Sequence, residues 1–329
     1  MEHIKCDQCG ANDHEKVAQQ TDLIHNTTTE VFIVVRCLQC GLHYTNPRPN
    51  PQEIEKYYSI SYGFHRTSGL ISALKGSFLE NFRDWLANFP LSIYLSFIPF
   101  YSRFLAKSVK PKIEDPVLKY VEKNSKKSFL DIGCGSGKSA HFWGPSGSLM
   151  RYKKSFDVYG VEPNIESRNF LNSKGITCWE HINEIEKEHK FNLIRMNWSL
   201  EHVHSPREYF MFISDHLSSG GKAFIMVPNN EGLLYKLNQN CLELPVHLYH
   251  FSKQDIKKYA QTFDLEIDDF ITFSYPEMYQ VAATNGFISE KFRLAASLAK
   301  AHKSMDFIEA IDDMGWGTDM IVSLKKTTL

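Results

Sequence analysis

From Ser128 onward short apolar runs alternate with helix-patterned stretches, and no other feature of this 329-residue chain constrains its fold as tightly. SFLDIG, FDVYGVEP, ITCWE, FNLIRMN, KAFIMVP and LEIDDFITF read as strands. Between them GSGKSAHFW, NIESRNFLNSKG, SPREYFMFISDHLSSGG and SKQDIKKYAQTF read as helices, the third closing on glycine and the last opening on Ser252 with Asp255 three residues on. Such alternation predicts an α/β chain with a doubly wound parallel sheet and helices on both faces. A final run, TDMIVSLKK, is expected to pair antiparallel at the sheet edge, and residues 280–312 to form a helical insertion before it.

The first strand leads straight into a glycine turn, FLDIGCGSGK, Phe129 to Lys138. In doubly wound sheets a ligand sits at this point, beyond the carboxyl ends of the strands. A phosphate-binding P-loop needs four residues between its first glycine and Gly-Lys-Ser, and here there are three. A dinucleotide turn needs G-x-G-x-x-G, whereas the order is G-x-G-x-G and Asp131 would repel a pyrophosphate. S-adenosylmethionine carries a cationic sulfonium and an ammonium and no phosphate, so an acid at the strand end suits it.

At these residues the chain resembles the class I S-adenosylmethionine-dependent methyltransferases, whose fold is Rossmann-like. The resemblance runs from about Phe129 to Phe273 and rests on four segments in order: the acid with its glycines, VYGVEPN ending in Glu162, FNLIRMNWSLEHVHSPREYF, and LSSGGKAFIMVPN. It implies that Asp131, Gly133, Gly135 and Gly137 hold the methionine end of the cofactor. Glu162 would accept from the ribose hydroxyls, and Asn197 and Leu200 would face the cofactor. After the third strand CWEHIN stands where the family often has an Asp, so the adenine contact is expected from backbone amides of His181 or Ile182 with help from Glu180. The spacing from Asp131 to Glu162 is long, and FWGPSGSLMRYKKS is read as an exposed loop.

Two C-x-x-C-G knuckles, Cys6/Cys9 and Cys37/Cys40, stand 27 residues apart. Two such knuckles close a tetrahedral four-sulfur site, read as a structural zinc ribbon, with iron as the alternative and His3 and His43 as bystanders. The three other cysteines, Cys134, Cys178 and Cys241, are isolated, which fits a reducing compartment, the cytoplasm. The expected organisation is a zinc module over 1–50, a helical linker or lid over 51–128, and the cofactor-binding domain over 129–329. Within the linker, Phe89 to Leu105 is apolar but broken by Pro90 and Pro99, too short for the ~20 residues of a membrane span. It reads as a buried hairpin; with Arg103, Lys107 and Lys110 the stretch 89–110 is also a candidate for peripheral membrane contact.

The formal net charge is −1, so nothing in the balance calls for nucleic acid. The knuckle followed by GLHYTNPRP is similar to the small-molecule and sugar-modifying branch of the family, which implies a small-molecule or glycan acceptor methylated on oxygen, or second on carbon. The alternatives are an RNA or protein methyltransferase reading its substrate through the ribbon, and a binding protein that has lost the chemistry. An oxygen or carbon acceptor must shed a proton, and histidines cluster in EHVHSP and PVHLYHFS. His250, His247 and His202, in that order, are the candidate bases, with Glu201 and Tyr249 as possible substrate contacts.

Overall fold

The computed structural model describes residues 1–23, 25–58, 115–121, 126–137, 149–237, 242–274 and 306–327. The expected helix after the glycine turn, most of the 280–312 insertion and the 89–110 segment therefore lie outside the described residues.

The main sheet has seven strands: β4 (Lys127–Ile132), β5 (Phe156–Val161), β6 (Thr177–Trp179), β7 (Phe191–Asn197), β8 (Leu217–Pro228), β10 (Leu265–Phe273) and β11 (Asp319–Lys326). Their order is β10-β11-β8-β7-β4-β5-β6, a Rossmann-like doubly wound sheet. Strands β4 to β8 run parallel. The chain moves outward from β4 through β5 to β6, then returns to β7 on the other side of β4. That reversal puts a crevice at the carboxyl end of β4, where the glycine turn begins.

Strand β11 is antiparallel as expected but does not form the edge, because it lies between β8 and β10. Its residues Asp319 to Leu324 are all buried, which only an inner strand achieves. The edge falls to β10, whose Asp268 pairs with Lys222 and Lys325 and so blunts the open side with charge. Two further expectations shift. The helix over SPREYFMFISDH ends at His216 as α3 (Pro206–His216), and the double glycine falls inside β8, where the pairing with β7 slips between Phe191 and Leu193. Part of the expected loop over 142–155 forms a helical turn, α1 (Leu149–Tyr152), because Tyr152 buries itself edge-on to Phe129 and Phe156 and donates to Asp115.

Local signals explain the remaining helices. In α2 (Ile165–Ser173) the Asn164 side chain accepts from the Ser167 amide, and Gly175 ends it at φ 69°. After the short helix α4 (Leu233–Leu237), α5 (Lys253–Thr262) opens on a reciprocal capping box between Ser252 and Asp255.

The N-terminal strands β1 (His14–Gln20), β2 (Phe32–Cys37) and β3 (His43–Thr45) build a second, antiparallel sheet whose fourth strand, β9 (Tyr249–His250), comes from the main domain. Asp7 reinforces the junction by accepting from Ser205, the Arg207 amide and the Tyr259 hydroxyl. Arg48 donates to the His204 carbonyl and the Tyr249 hydroxyl. One apolar core crosses it, joining Leu42 and Tyr44 to Phe210, Tyr249, Phe251 and Tyr259. Each of these buried rings contributes on the order of 2 kcal/mol, so the two sheets are held by packing as well as by hydrogen bonds.

Candidate functional site

Two glycines of the turn are forced by contact. Gly133 sits at φ 73°, and a β-carbon there would lie 2.5 Å from that of Ser199. Gly137, at φ 72°, leaves only 2.7 Å to Leu171. The Gly133 and Cys134 amides both donate to the Val161 carbonyl, so the turn after β4 is strapped to the end of β5. Glu162 follows directly: its carboxylate accepts from the Gly135 amide at 2.7 Å and the Asn164 amide at 2.8 Å. The structure thus brings Gly133, Gly135 and Glu162 into one crevice.

Asp131 has a partner the sequence reading missed. Arg195, on β7, donates to both of its oxygens, at 2.8 and 2.7 Å, and also to Asp115, which accepts from Tyr152 as well. All of these groups are buried. The charge of Asp131 is balanced within the protein by this fork, a partnership that the reading of its carboxylate as a contact for the methionine end did not anticipate. The two carboxylates hold the Arg195 pKa up despite its burial, and burial pushes Asp115 up. The signal was available: a lone arginine in the apolar run FNLIRMN needs a buried acid.

At the end of β6 the Arg168 guanidinium donates to Glu180 at 2.7 Å and to the Glu162 carbonyl at 2.8 Å. Glu180 and His181 are both substantially exposed, with 3.6 Å between His181 Nε2 and a Glu180 oxygen. Asn197 ends β7, and Trp198 turns the chain at φ 46°, its indole donating to Asp319 at 2.8 Å. Ser199 then donates to the Ile132 carbonyl at 3.0 Å, pinning this turn to the glycine turn. Leu200 is fully buried in the 3-10 turn Leu200–His202.

That turn delivers Glu201 and His202 into a cluster with His247, Glu243 and His25. The rings of His202 and His247 lie 4.7 Å apart. Glu243 places one oxygen 3.4 Å from His247 Nε2 and the other 2.6 Å from His25 Nε2. Tyr58 and the Val246 carbonyl both approach His202 Nδ1, at 3.3 and 2.9 Å. Burial lowers the His202 pKa to about 3, with His247 adding to the effect, and lowers His247 too, so both imidazoles are neutral. Burial works against the Glu243 carboxylate, but its pKa is held down to about 2, with the hydrogen bond from His25 among the causes, and Glu243 in turn raises the pKa of His25. His25 and Glu243 went unnoticed in the sequence because they are 218 residues apart. His250, the first candidate base, is instead fully buried in β9 opposite His43.

The cysteine knuckles form two matching turns. In each, the glycine amide donates back to the first cysteine's carbonyl, Gly10 to Cys6 and Gly41 to Cys37. All four sulfurs lie within 4.8 Å of one another, with Cys6–Cys40 at 3.4 Å and Cys9–Cys37 at 3.5 Å. This set is compatible with zinc.

A family model described as a methyltransferase domain matches residues 102–269, just over half of the chain. The chain belongs to this methyltransferase-domain family. A curated relative, a histidine protein methyltransferase 1 homolog from Dictyostelium discoideum, is 29% identical over 107 residues. That match covers 31% of this chain, which spans about a third (35%) of the relative's length. Among solved structures, an O-methyltransferase from a trans-AT PKS multienzyme of Brevibacillus brevis is 15% identical at a TM-score of 0.43, covering 73% of this chain and 80% of its own. An S-adenosylmethionine-dependent methyltransferase from Clostridium acetobutylicum is 16% identical at a TM-score of 0.41, covering 69% and 98%. No helix among the described residues is long and apolar enough to cross a membrane.

Proposed function

We propose that this methyltransferase acts on an oxygen, with carbon second, of a sugar, a polysaccharide precursor or another small molecule. One observation carries the reading. The turn from Ser199 to His202 packs its first residue on the glycine turn and sends its last two into a buried histidine and carboxylate cluster. A methyl-donor site and a proton-handling site are thereby adjacent. A neutral amine acceptor would have less need of the second.

S-adenosylmethionine supplies an electrophilic methyl group that leaves its sulfur as the acceptor bond forms. Gly133, Gly135 and Gly137 let the backbone approach the methionine end, and Glu162 receives the ribose hydroxyls in exchange for part of its bonding to the loop amides. Asn197 and Leu200 line the cofactor side, with Glu180 and His181 at the adenine end. The acceptor proton passes to the cluster, where His247 is neutral and faces an ionised carboxylate, Glu243, that stabilises the imidazolium it becomes. His202 is the second candidate, and His250 supports from the neighbouring sheet. Zinc in the Cys6, Cys9, Cys37 and Cys40 site is structural, fixing the module that carries His25 to Glu243.

Calorimetric titration with S-adenosylhomocysteine, followed by turnover of nucleotide sugars, free glycans and histidine-containing peptides, tests this reading. Micromolar binding and methylation of a sugar hydroxyl support it. Methylation confined to the peptides would transfer the function to a protein acceptor.

A further inference from the structure

Glu201 is the anomaly of the cluster. It is 1% exposed, and among the described residues neither of its carboxylate oxygens has a hydrogen-bond partner on another residue. A buried carboxylate left in this state is destabilising by several kcal/mol, and protonating it only substitutes an unsatisfied donor. Something outside the protein's own donors is needed to satisfy it.

The neighbouring groups specify what. The Val246 carbonyl, 2.9 Å away, can only accept, so His202 carries a hydrogen on Nδ1 and presents Nε2 to Glu201, 4.0 Å distant. That distance is too long for a hydrogen bond but leaves room for a cation between the two atoms. A ring nitrogen of His247 completes the set, with all three ligating atoms within 4.8 Å of one another. Ligands on a first-row ion lie ~2.0–2.2 Å from it, so atoms on opposite sides span up to about 4.3 Å, and closure requires shifts of only a few tenths of an ångström. The scaffold is also braced for the purpose. The Leu248 amide donates to the Glu201 carbonyl at 2.8 Å, and Thr45 of the N-terminal sheet donates to the His247 carbonyl at 2.9 Å. A backbone carbonyl on the far nitrogen of a ligating imidazole is the usual way its lone pair is aimed at a metal.

We propose that Glu201, His202 and His247 form a second metal site, distinct from the four cysteines, for a divalent first-row ion such as manganese, cobalt or iron. Two imidazoles and one carboxylate select such ions over magnesium or calcium, which prefer all-oxygen shells. The proposal rests on the methyltransferase reading above and revises one step of it: with the ion in place the His247 lone pair is a ligand, and the acceptor loses its proton through coordination rather than to that imidazole. An ion held by three protein groups keeps positions for oxygen ligands, water at rest and an acceptor hydroxyl in turnover. A hydroxyl so bound is more acidic, which explains why the cluster is built beside the methyl-donor crevice.

The test uses the full chain with zinc at the cysteines. Manganese is titrated and followed by loss of the free-ion paramagnetic resonance signal, with cobalt as a second probe and S-adenosylhomocysteine calorimetry on the same samples. The expected result is one manganese per chain. Glu201→Gln and His247→Gln should each weaken it by more than about tenfold while leaving the thermal midpoint and S-adenosylhomocysteine affinity near the wild-type values. The proposal is overturned if neither ion binds up to about 1 mM, or if both variants bind as wild type does. Manganese binding with no S-adenosylhomocysteine binding would keep the metal site and sink the methyltransferase reading.

Discussion

The two sides of the crevice are built on opposite principles. On the glycine side every charge has a protein partner: Arg195 holds Asp131 and Asp115, and Glu162 accepts from two amides. On the histidine side Glu201 has no hydrogen-bond partner on another of the described residues, and two neutral imidazoles stand where charged ones would be expected beside acids. A saturated site keeps its shape before the ligand arrives, whereas an unsaturated one stores binding capacity for what arrives. The Ser199 turn joins the two, so changes on either side report on that division.

The largest effect should come from breaking the saturated side. Arg195→Met strands two buried carboxylates and should cost about 3–5 kcal/mol in urea denaturation. Adding Asp131→Asn and Asp115→Asn should recover most of that loss, because the penalty belongs to the uncompensated charges. If Arg195→Met unfolds at the wild-type midpoint, the fork does not organise this side.

Next comes the hinge between the sides. Burial raises the pKa of Asp319 to about 6 even though Trp198 and Thr318 donate to it. Its folded pKa lies above the unfolded one, so the stability linked to its proton is full below about pH 4 and is lost as pH rises to about 6. That is worth about 3 kcal/mol. Asp319→Asn should flatten this part of the stability profile, measured by denaturation between pH 4 and 7 (roughly the interval set by the two pKa values). An unchanged slope in the variant would mean that the carboxyl titrates normally.

How much of this division was legible beforehand depends on distance along the chain. The glycine turn, Glu162 and the capping box of α5 are local patterns, and their geometry followed from a few adjacent residues. The antiparallel strand β11 was recognised, but its inner position was not, because edge and centre differ in which partners flank a strand and not in its own sequence. Arg195 with Asp131, and His25 with Glu243, are pairs that only the folded chain brings together. The burial of His250 was not legible for a related reason. Its place in a loop-like motif suggested access, while strand pairing with His43 buries it. The four cysteines were legible because each knuckle is a complete local turn.

On the saturated side, Glu162→Gln should weaken S-adenosylhomocysteine by about 2 kcal/mol, roughly thirtyfold, through lost charge-assisted acceptance. The fold should persist, since glutamine still offers one oxygen to the Gly135 and Asn164 amides. Unaltered affinity in calorimetry would remove Glu162 from the cofactor site.

The smallest effect tests whether the N-terminal module belongs to the chemistry or only to the fold. His25 reaches Glu243 from the β1–β2 connection, where Asp22 accepts from the amides of His25 and Thr27 and fixes the loop. Glu243 raises the His25 pKa, so the stability from this pair is full below the unfolded value near 6.5 and is lost as pH rises through the higher folded value. His25→Gln should therefore cost only about 1–2 kcal/mol at pH 6 and less at pH 8. Glu243 would meanwhile lose its cationic neighbour and hold a proton more readily, which weakens its support of an imidazolium at His247. The informative comparison is the ratio of kcat at the two pH values in variant and wild type. A shift in that ratio ties the module to proton handling, whereas a uniform loss of stability with an unchanged ratio assigns His25 to docking alone.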